Sequence, residues 1–213
     1  MVDVKKGDLV RIEYTGRLAS TGRLFDTTSE ELARQAGIFG SGTKYGPRLT
    51  LFGAGAMVRG VEEAIFACPL GKSEDFLITS DKAFGNKRPE LIRMVAAREF
   101  SKQGVSPEPD LLVTLDGAGA RVKSVASGRV MVDFNHPLAG ESVLYSLKVL
   151  EIISDARKKI EAVLSSLGLQ AEVSQDGSGK CTVTFASGAD AQKTEAAKRS
   201  ILSFMPETEF RVS

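Results

Sequence analysis

The sequence has no tryptophan, a single histidine and only two cysteines in 213 residues. His136 has no second histidine, paired cysteine or acidic cluster near it, so the pattern favours a loop hydrogen-bonding residue over a metal ligand. Cys68 and Cys181 stand far apart in apolar surroundings, which predicts two buried free thiols in a reducing compartment and not a disulfide. From these absences we expect no metal and no other cofactor.

The sequence also lacks an excess of either charge, because 28 lysines and arginines stand against 27 aspartates and glutamates. Such a balance argues against electrostatic attraction to nucleic acid or to a membrane surface. No apolar run approaches the roughly 20 residues that cross a bilayer, and residues 1–7 contain no apolar signal core. The sequence therefore predicts a soluble, cytoplasmic protein with no nucleic-acid or membrane partner.

Residues 49–72 predict a strand, a glycine loop and a short helix. Val61, Ile65 and Cys68 are four and three residues apart, which places them on one apolar helical face. Pro69 then ends the helix. A helix this short is not stable alone in water, so we expect it to lie against a sheet.

The same stretch contains two partial phosphate-binding patterns. Residues 71–73 match the end of a P-loop, but the position of the loop's first glycine is occupied by Phe66. Gly53 and Gly55 begin a dinucleotide pattern, but its third glycine is replaced by Val58. Both patterns fail, which excludes a nucleotide-dependent enzyme, and the two glycines are interpreted as tight-turn residues.

Alternating apolar residues predict strands along much of the chain. Strands are expected over 10–15, 23–26, 75–79 and 143–149. Residues 27–48 predict a long surface loop with a short helix near 30–36, which is either functional or a tolerated insertion.

Two further blocks have their own patterns. Residues 86–134 predict a β-rich block with strands over 111–115, 120–125 and 129–134. Residues 154–213 predict an α-β-β-α-β domain of marginal size, which needs docking onto the body or dimerisation to bury enough surface.

Six sequence blocks follow one another in a distinctive order. They are VRIEYTG at 10–16, GRLFDTT at 22–28, MVRGVEE at 57–63, DKAFG at 81–85, NHPLAG at 135–140 and LYSLKVLEI at 144–152. With these blocks the chain resembles the FKBP family of peptidyl-prolyl cis-trans isomerases, with the insertion of its SlyD-like branch and the C-terminal extension of long archaeal members. The resemblance implies an α+β fold, in which an FKBP-like antiparallel β-sheet wraps a short helix.

The resemblance also implies three domains. An isomerase domain is expected over 1–85 and 135–153, an inserted flap domain with a chaperone role over 86–134, and a dimerising C-terminal α-β-β-α-β domain over 154–213. The implied partners are proline-containing unfolded or nascent polypeptides and a second copy of the chain.

An apolar pocket is the site that the resemblance implies. The expected catalytic residues are Tyr14, Phe25, Asp26, Met57, Val58, Phe84 and Tyr145, and the expected substrate-binding residues on the pocket wall are Leu51, Val61 and Leu138. The Val58 N–H is expected to donate to a substrate carbonyl, and Asp26 to orient Tyr14 or polarise the pocket edge. Without the other blocks, Asp26 is equally well explained as a turn cap, and Met57 and Val61 are better explained as core residues.

Two positions depart from the family pattern. Many relatives have tryptophan where Val61 stands, and this change is expected to weaken binding of macrolide inhibitors. Many have tyrosine where Phe84 stands, so a hydroxyl donor is missing, which could lower turnover or alter peptide preference. A non-catalytic holdase or scaffold that keeps the FKBP fold is therefore the alternative to an isomerase.

The insertion has more apolar residues than so small a block needs for its core. Leu91, Ile92 and Met94 are expected to bind unfolded chain, because methionine-containing apolar surfaces suit promiscuous binding. The alternative is that these residues, with Val95 and Phe100, form the core of the block itself. The sequence favours neither explanation.

Overall fold

The computed structural model describes residues 3–102, 104–115 and 117–212. Its backbone divides into two compact units. Residues up to Ile78 together with those from Val143 onward form the first unit, and Thr79–Ser142 form the second. The second unit thus contains the predicted insertion at 86–134 and the segments on either side of it.

The first unit begins with four strands and two helices. These are β1 (Leu9–Leu18), β2 (Leu24–Thr27), α1 (Glu30–Gln35), β3 (Arg48–Leu51), α2 (Arg59–Ala67) and β4 (Ser73–Ile78). Between β2 and β3, where the sequence predicts a loop, the chain makes its own aromatic contacts. Phe39 stacks on Tyr45 with ring centroids 5.4 Å apart, and the Arg34 guanidinium lies 3.6 Å from the Phe39 ring centre.

The second unit is a four-stranded antiparallel sheet with one helix. Its elements are β5 (Ile92–Ala96), α3 (Ala97–Lys102), β6 (Leu112–Leu115), β7 (Ala118–Ala126) and β8 (Arg129–Asp133), with the strand order β5-β8-β7-β6. Phe100 on α3 is 1% exposed and packs with Val122, Val130 and Val132. The three predicted strands are confirmed within a few residues. The strand β5 and the helix α3 are additional elements that the sequence pattern did not indicate.

The chain returns to the first unit in β9 (Val143–Ile153) and completes a five-stranded antiparallel sheet. The order is β2-β1-β9-β4, and β3 pairs with the first half of β1 while β2 pairs with the second half. The even-numbered residues of β1 from Val10 to Leu18 are buried, as the alternating pattern predicts.

The helix α2 lies against β4 and β9 with its apolar face inward. Val61, Ala64 and Ile65 are buried, which confirms the predicted apolar face. The backbone of α2 approaches the end of β4 so closely that a Cβ atom on Gly60 would collide with the Ile78 side chain. Glycine at this position therefore permits the close approach of helix and sheet.

The C-terminal region has the predicted α-β-β-α-β order. Its elements are α4 (Ala156–Ser166), β10 (Ala171–Gln175), β11 (Cys181–Phe185), α5 (Ala191–Leu202) and β12 (Glu209–Val212). In its sheet, β10 is antiparallel and β12 parallel to β11. Ile160, Phe185 and Ile201 form a core with Leu9 and Ile153 of the five-stranded sheet of the first unit, which we call the central sheet. Docking onto the central sheet thus supplies burial that so small a domain lacks by itself.

Two composition-based predictions can be compared directly with the structure. Cys68 and Cys181 are both free and both buried, as predicted. None of the helices in the described ranges is long and apolar enough to cross a membrane.

Candidate functional site

A bulge in β2 brings two neighbouring side chains to one place. In the pairing of β1 with β2, Arg17 stands opposite Leu24 and Gly16 stands opposite Asp26, so Phe25 has no partner of its own. An extra residue of this kind re-aims side chains that would otherwise point to opposite faces. The Phe25 ring lies next to Gly16, where a Cβ atom would be 2.7 Å from it.

Three aromatic rings meet around Gly16. In the pairing of β1 with β9, Gly16 stands opposite Tyr145, and a Cβ on Gly16 would be 3.2 Å from the Tyr145 ring. The Phe25 and Tyr145 ring centroids are 5.8 Å apart in an edge-to-face arrangement, and those of Tyr14 and Tyr145 are 5.7 Å apart. Both distances lie within the range of favourable aromatic pairs. The missing side chain of Gly16 provides the space for this cluster.

A carboxylate adjoins the aromatic cluster. The Tyr14 hydroxyl donates a hydrogen bond to Asp26 Oδ2 at 2.8 Å. Tyr14 is 4% exposed, whereas Asp26 is only half-buried. The Asp26 carboxylate is therefore held by a buried tyrosine while it keeps access to solvent, an arrangement compatible with both expected roles, orienting Tyr14 and polarising a pocket edge.

The electrostatics of the two tyrosines follow from their burial. Desolvation, followed by the charge of Asp26 and the hydrogen bond to it, raises the pKa of Tyr14 above its usual value. Desolvation, followed by the charges of Asp26 and Tyr14, raises the pKa of Tyr145 further still. A tyrosine with an ordinary pKa of about 10 is already neutral at physiological pH, and burial keeps these two hydroxyls neutral at higher pH as well.

The residues expected beside α2 occupy the start of that helix. Val58 is the N-cap residue with extended backbone, Met57 precedes it, and both are half-buried. Among the described residues, none accepts a hydrogen bond from the Val58 N–H. That amide is thus available to a substrate carbonyl. Val61 is completely buried on the apolar face of α2.

Leu51 is not brought to this cluster. It stands opposite Leu9 in the pairing of β1 with β3, on the face of the sheet opposite to Tyr14, and it packs against the C-terminal core. Its expected role in the pocket wall is therefore corrected to a packing role between the sheet and the C-terminal domain. Directly opposite residues share one face of a sheet, and Leu9 belongs to the face that the C-terminal domain covers.

Phe84 and Leu138 belong to the second unit. Phe84 is half-buried and stacks on His136, with ring centroids 4.6 Å apart and an angle of 1° between the rings. His136 also accepts a hydrogen bond at Nδ1 from the Leu138 N–H at 3.1 Å. His136 is thus a loop hydrogen-bonding residue, as predicted.

The apolar residues of the insertion divide into two groups. Phe100 is in the core and Val95 packs against it, as the core explanation predicts. Ile92 and Met94 are exposed, at 36% and 56%, as a binding surface requires, and Leu91 is half-buried. The core explanation therefore holds for Phe100 and Val95 but not for Ile92 and Met94, and the binding of unfolded chain by the exposed residues stays a prediction.

Sequence reasoning missed Arg48, which contacts the cluster directly. Its Nη1 donates to the Tyr14 hydroxyl oxygen at 3.0 Å. No motif includes Arg48, and only the pairing of β3 with β1, where Arg48 stands opposite Ile12, places it on the same face as Tyr14. Within the described ranges, no three histidine, cysteine or acidic side chains are grouped so that they could hold a metal ion.

Comparisons with known proteins indicate the family to which the chain belongs. The sequence pattern of the family "FKBP-type peptidyl-prolyl cis-trans isomerase" matches residues 2–101, and that of "FKBP26, IF domain" matches residues 93–138. The short-type peptidyl-prolyl cis-trans isomerase of Methanocaldococcus jannaschii is 30% identical over 70% of this chain and 94% of its own length. The FKBP-type 16 kDa peptidyl-prolyl cis-trans isomerase of Escherichia coli is 32% identical over 62% of this chain and 86% of its own.

A third relative, the isomerase SlyD of Helicobacter pylori, is 30% identical over 47% of this chain and 56% of its own length. Together these matches establish that the chain belongs to the FKBP-type peptidyl-prolyl cis-trans isomerase family. The resemblance seen in the six sequence blocks is thereby confirmed, as is the α+β fold class.

Alkaline pH is expected to destabilise the protein through the two tyrosines. Their pKa values are higher in the folded than in the unfolded protein, so the neutral hydroxyls favour the folded state. This contribution to the free energy of unfolding is complete below the unfolded pKa of about 10 and is lost as pH rises above it. Tyr145→Phe keeps the ring but removes one titrating hydroxyl. Urea unfolding from about pH 8 to 11 should therefore show a smaller loss of unfolding free energy in this variant than in wild type. An equal loss in both proteins would contradict the assignment.

Proposed function

We propose that this isomerase acts on Xaa-Pro bonds of unfolded or partly folded polypeptides and also binds such chains through its second unit. The observation that supports the catalytic part is the cluster of Tyr14, Phe25 and Tyr145 around Gly16, with Asp26 beside it. Exposed apolar residues on the second unit support the binding part.

Prolyl isomerisation needs no nucleophile, metal or redox group. The barrier of ~18–20 kcal/mol for an ordinary peptide bond comes from amide resonance, which rotation breaks. The twisted transition state has lost conjugation and much of its charge separation, so a dry, apolar site binds it better than water does. The aromatic rings would supply that surface, and the Val58 N–H would hold a neighbouring substrate carbonyl.

The neutral state of the two tyrosines matters for this chemistry. A charged phenolate beside the proline ring would attract water into the site; Tyr14 is neutral at physiological pH even with an ordinary tyrosine pKa of about 10, and burial extends that neutral range to higher pH. Among the described residues, Asp26 is the carboxylate whose charge acts on both tyrosines. It would act through electrostatic interaction with the twisted amide, since isomerisation transfers no proton.

Catalysis is tested by cis/trans exchange of an Xaa-Pro tetrapeptide, followed by NMR. We expect wild type to accelerate exchange and Asp26→Ala to lose about 10- to 100-fold in kcat/KM, because a fixed charge at the reacting amide is removed. Asp75→Ala is the matched control, since Asp75 lies on β4, where its carboxylate accepts a hydrogen bond from the half-buried Ser146 hydroxyl. No acceleration by wild type would instead favour the non-catalytic holdase, the alternative suggested by the departures from the family pattern at Val61 and Phe84.

The outer face of the second unit carries the proposed client-binding surface. Met94 on β5 stands opposite Met131 on β8, and both side chains are exposed, at 56% and 38%. Leu112 on β6 is 67% exposed. It lies on the same face, because the pairings of the four strands place it in one cross-strand row with Ile92 of β5. Four large apolar side chains on one small sheet form a patch of the kind that marks a binding site.

A cleft of about 450 Å³ adjoins this patch. Leu112 and Val113 contribute to its apolar lining, while Lys87, Arg121 and Asp133 place charges of both signs around it. Flexible methionines beside a cleft of mixed polar and apolar lining suit chains of varied sequence better than one fixed ligand.

The client-binding surface is tested with Met94→Gln combined with Met131→Gln. Both positions are exposed, so the fold should be retained, while refolding catalysis on a proline-limited protein should fall by about fivefold or more. Tetrapeptide exchange should be unchanged, because it does not need the patch. Leu77→Gln, at a 68% exposed position on β4, is the control. Unchanged refolding catalysis in the methionine variant would contradict the binding role.

We further propose a homodimer through residues 154–213. β12 is an edge strand on which Val212 is 69% exposed, and Leu202 on α5 is 41% exposed. Sedimentation at micromolar protein tests the dimer, and a monomer at every concentration would contradict it.

We also propose a cytoplasmic location, because free buried thiols suit a reducing compartment. Cell fractionation tests the location, and recovery outside the cytoplasm would contradict it.

A further inference from the structure

Arg48 contacts the catalytic cluster through a chain of two hydrogen bonds. Its Nη1 donates to the Tyr14 hydroxyl oxygen at 3.0 Å, and that hydroxyl donates to Asp26 Oδ2 at 2.8 Å. A tyrosine hydroxyl has one proton, which rotates to suit its partners. A guanidinium can only donate, so it occupies the acceptor side of the hydroxyl and directs the Tyr14 proton to Asp26.

The strand β3 holds Arg48 on a fixed platform. Arg48 faces the same side as Tyr14, while Leu49 and Leu51 pack on the opposite side against the C-terminal core. Lys44, just before the strand, donates from Nζ to the Ser166 carbonyl of α4 at 3.1 Å. β3 is thus fixed between β1 and the C-terminal domain, so the Arg48 backbone has little freedom to move away from Tyr14.

The hydrogen bonding of the Asp26 carboxylate depends on Tyr14. Among the described residues, Tyr14 is the only hydrogen-bond donor to the Asp26 carboxylate, and the contact uses Oδ2. The orientation of Oδ1 therefore depends on the bond from Tyr14. That bond in turn depends on which way the Tyr14 proton points.

We propose that Arg48 is a positioning residue of the isomerase site, which directs the Tyr14 proton to Asp26 and so leaves Asp26 Oδ1 free to face the substrate. The C-terminal domain contributes by holding β3 in place. This inference rests on the catalytic function proposed above and adds to it a residue that works through Tyr14 without touching the substrate.

A double-mutant cycle tests whether Arg48 acts through Tyr14. Arg48→Met should lower kcat/KM for the tetrapeptide by about three- to tenfold, mainly in kcat, as expected for loss of one orienting hydrogen bond. In a Tyr14→Phe background the same change should have less than about a twofold effect, because the hydroxyl is already absent. Arg48→Lys should recover part of the loss, since the ammonium can still donate.

Arg11→Met is the matched control. Arg11 stands opposite Leu49 on the other face of the same strand pair and forms an exposed ion pair with Glu151. It should leave kcat/KM unchanged, because such pairs contribute little.

The pKa of Tyr14, which can be measured without catalytic turnover, provides the second test. The Arg48 hydrogen bond and charge lower the pKa of Tyr14 against the larger effect of burial, so Arg48→Met should raise that pKa further. NMR of ring-labelled Tyr14 should show this rise in Arg48→Met and not in Arg11→Met.

Two results would overturn the proposal while wild type is active. One is an equal loss of kcat/KM in the wild-type and Tyr14→Phe backgrounds, and the other is no loss together with an unchanged Tyr14 titration. A wild type without isomerase activity would overturn the catalytic function itself, and this inference with it.

Discussion

The bulge at Phe25 is the local constraint on which the site depends. It places Phe25 and Asp26 together opposite Gly16, so that an aromatic ring and a carboxylate reach the same face. Gly16 has no side chain, which leaves room for Phe25 and Tyr145 against the backbone of β1. Tyr14, two residues earlier on β1, points to the same face and bonds Asp26. One bulge and one glycine therefore assemble side chains from three strands.

The two faces of the central sheet have different roles. One carries the aromatic cluster and α2, while the other, with Leu9, Leu49 and Leu51, is covered by the C-terminal domain. β3 contributes to both, since Arg48 and Leu51 point in opposite directions. The C-terminal domain is therefore part of the same compact unit as the aromatic cluster, and its packing bears on the geometry around that cluster.

The features of the fold that depend on the local spacing of residues could be predicted from the sequence. The spacing of Val61, Ile65 and Cys68 indicated α2, and the six blocks identified the family before any contact was known. Other features depend on register or on long-range packing. Leu51 was misplaced because the family resemblance, from which its pocket role came, does not reveal that the C-terminal domain covers its face of the sheet. Arg48 and the bulge were missed because both follow from strand pairing, and β5 was missed because residues 91–95 do not alternate clearly.

NMR titration of the isotope-labelled protein with an Xaa-Pro peptide would test the central claim most directly. If the cluster on the central sheet is the isomerase pocket, the Val58 amide and the ring resonances of Tyr14, Phe25 and Tyr145 should shift together with one affinity. Shifts confined to Thr79–Ser142, with the Val58 amide and those three rings unmoved, would contradict the account and place proline binding on the second unit.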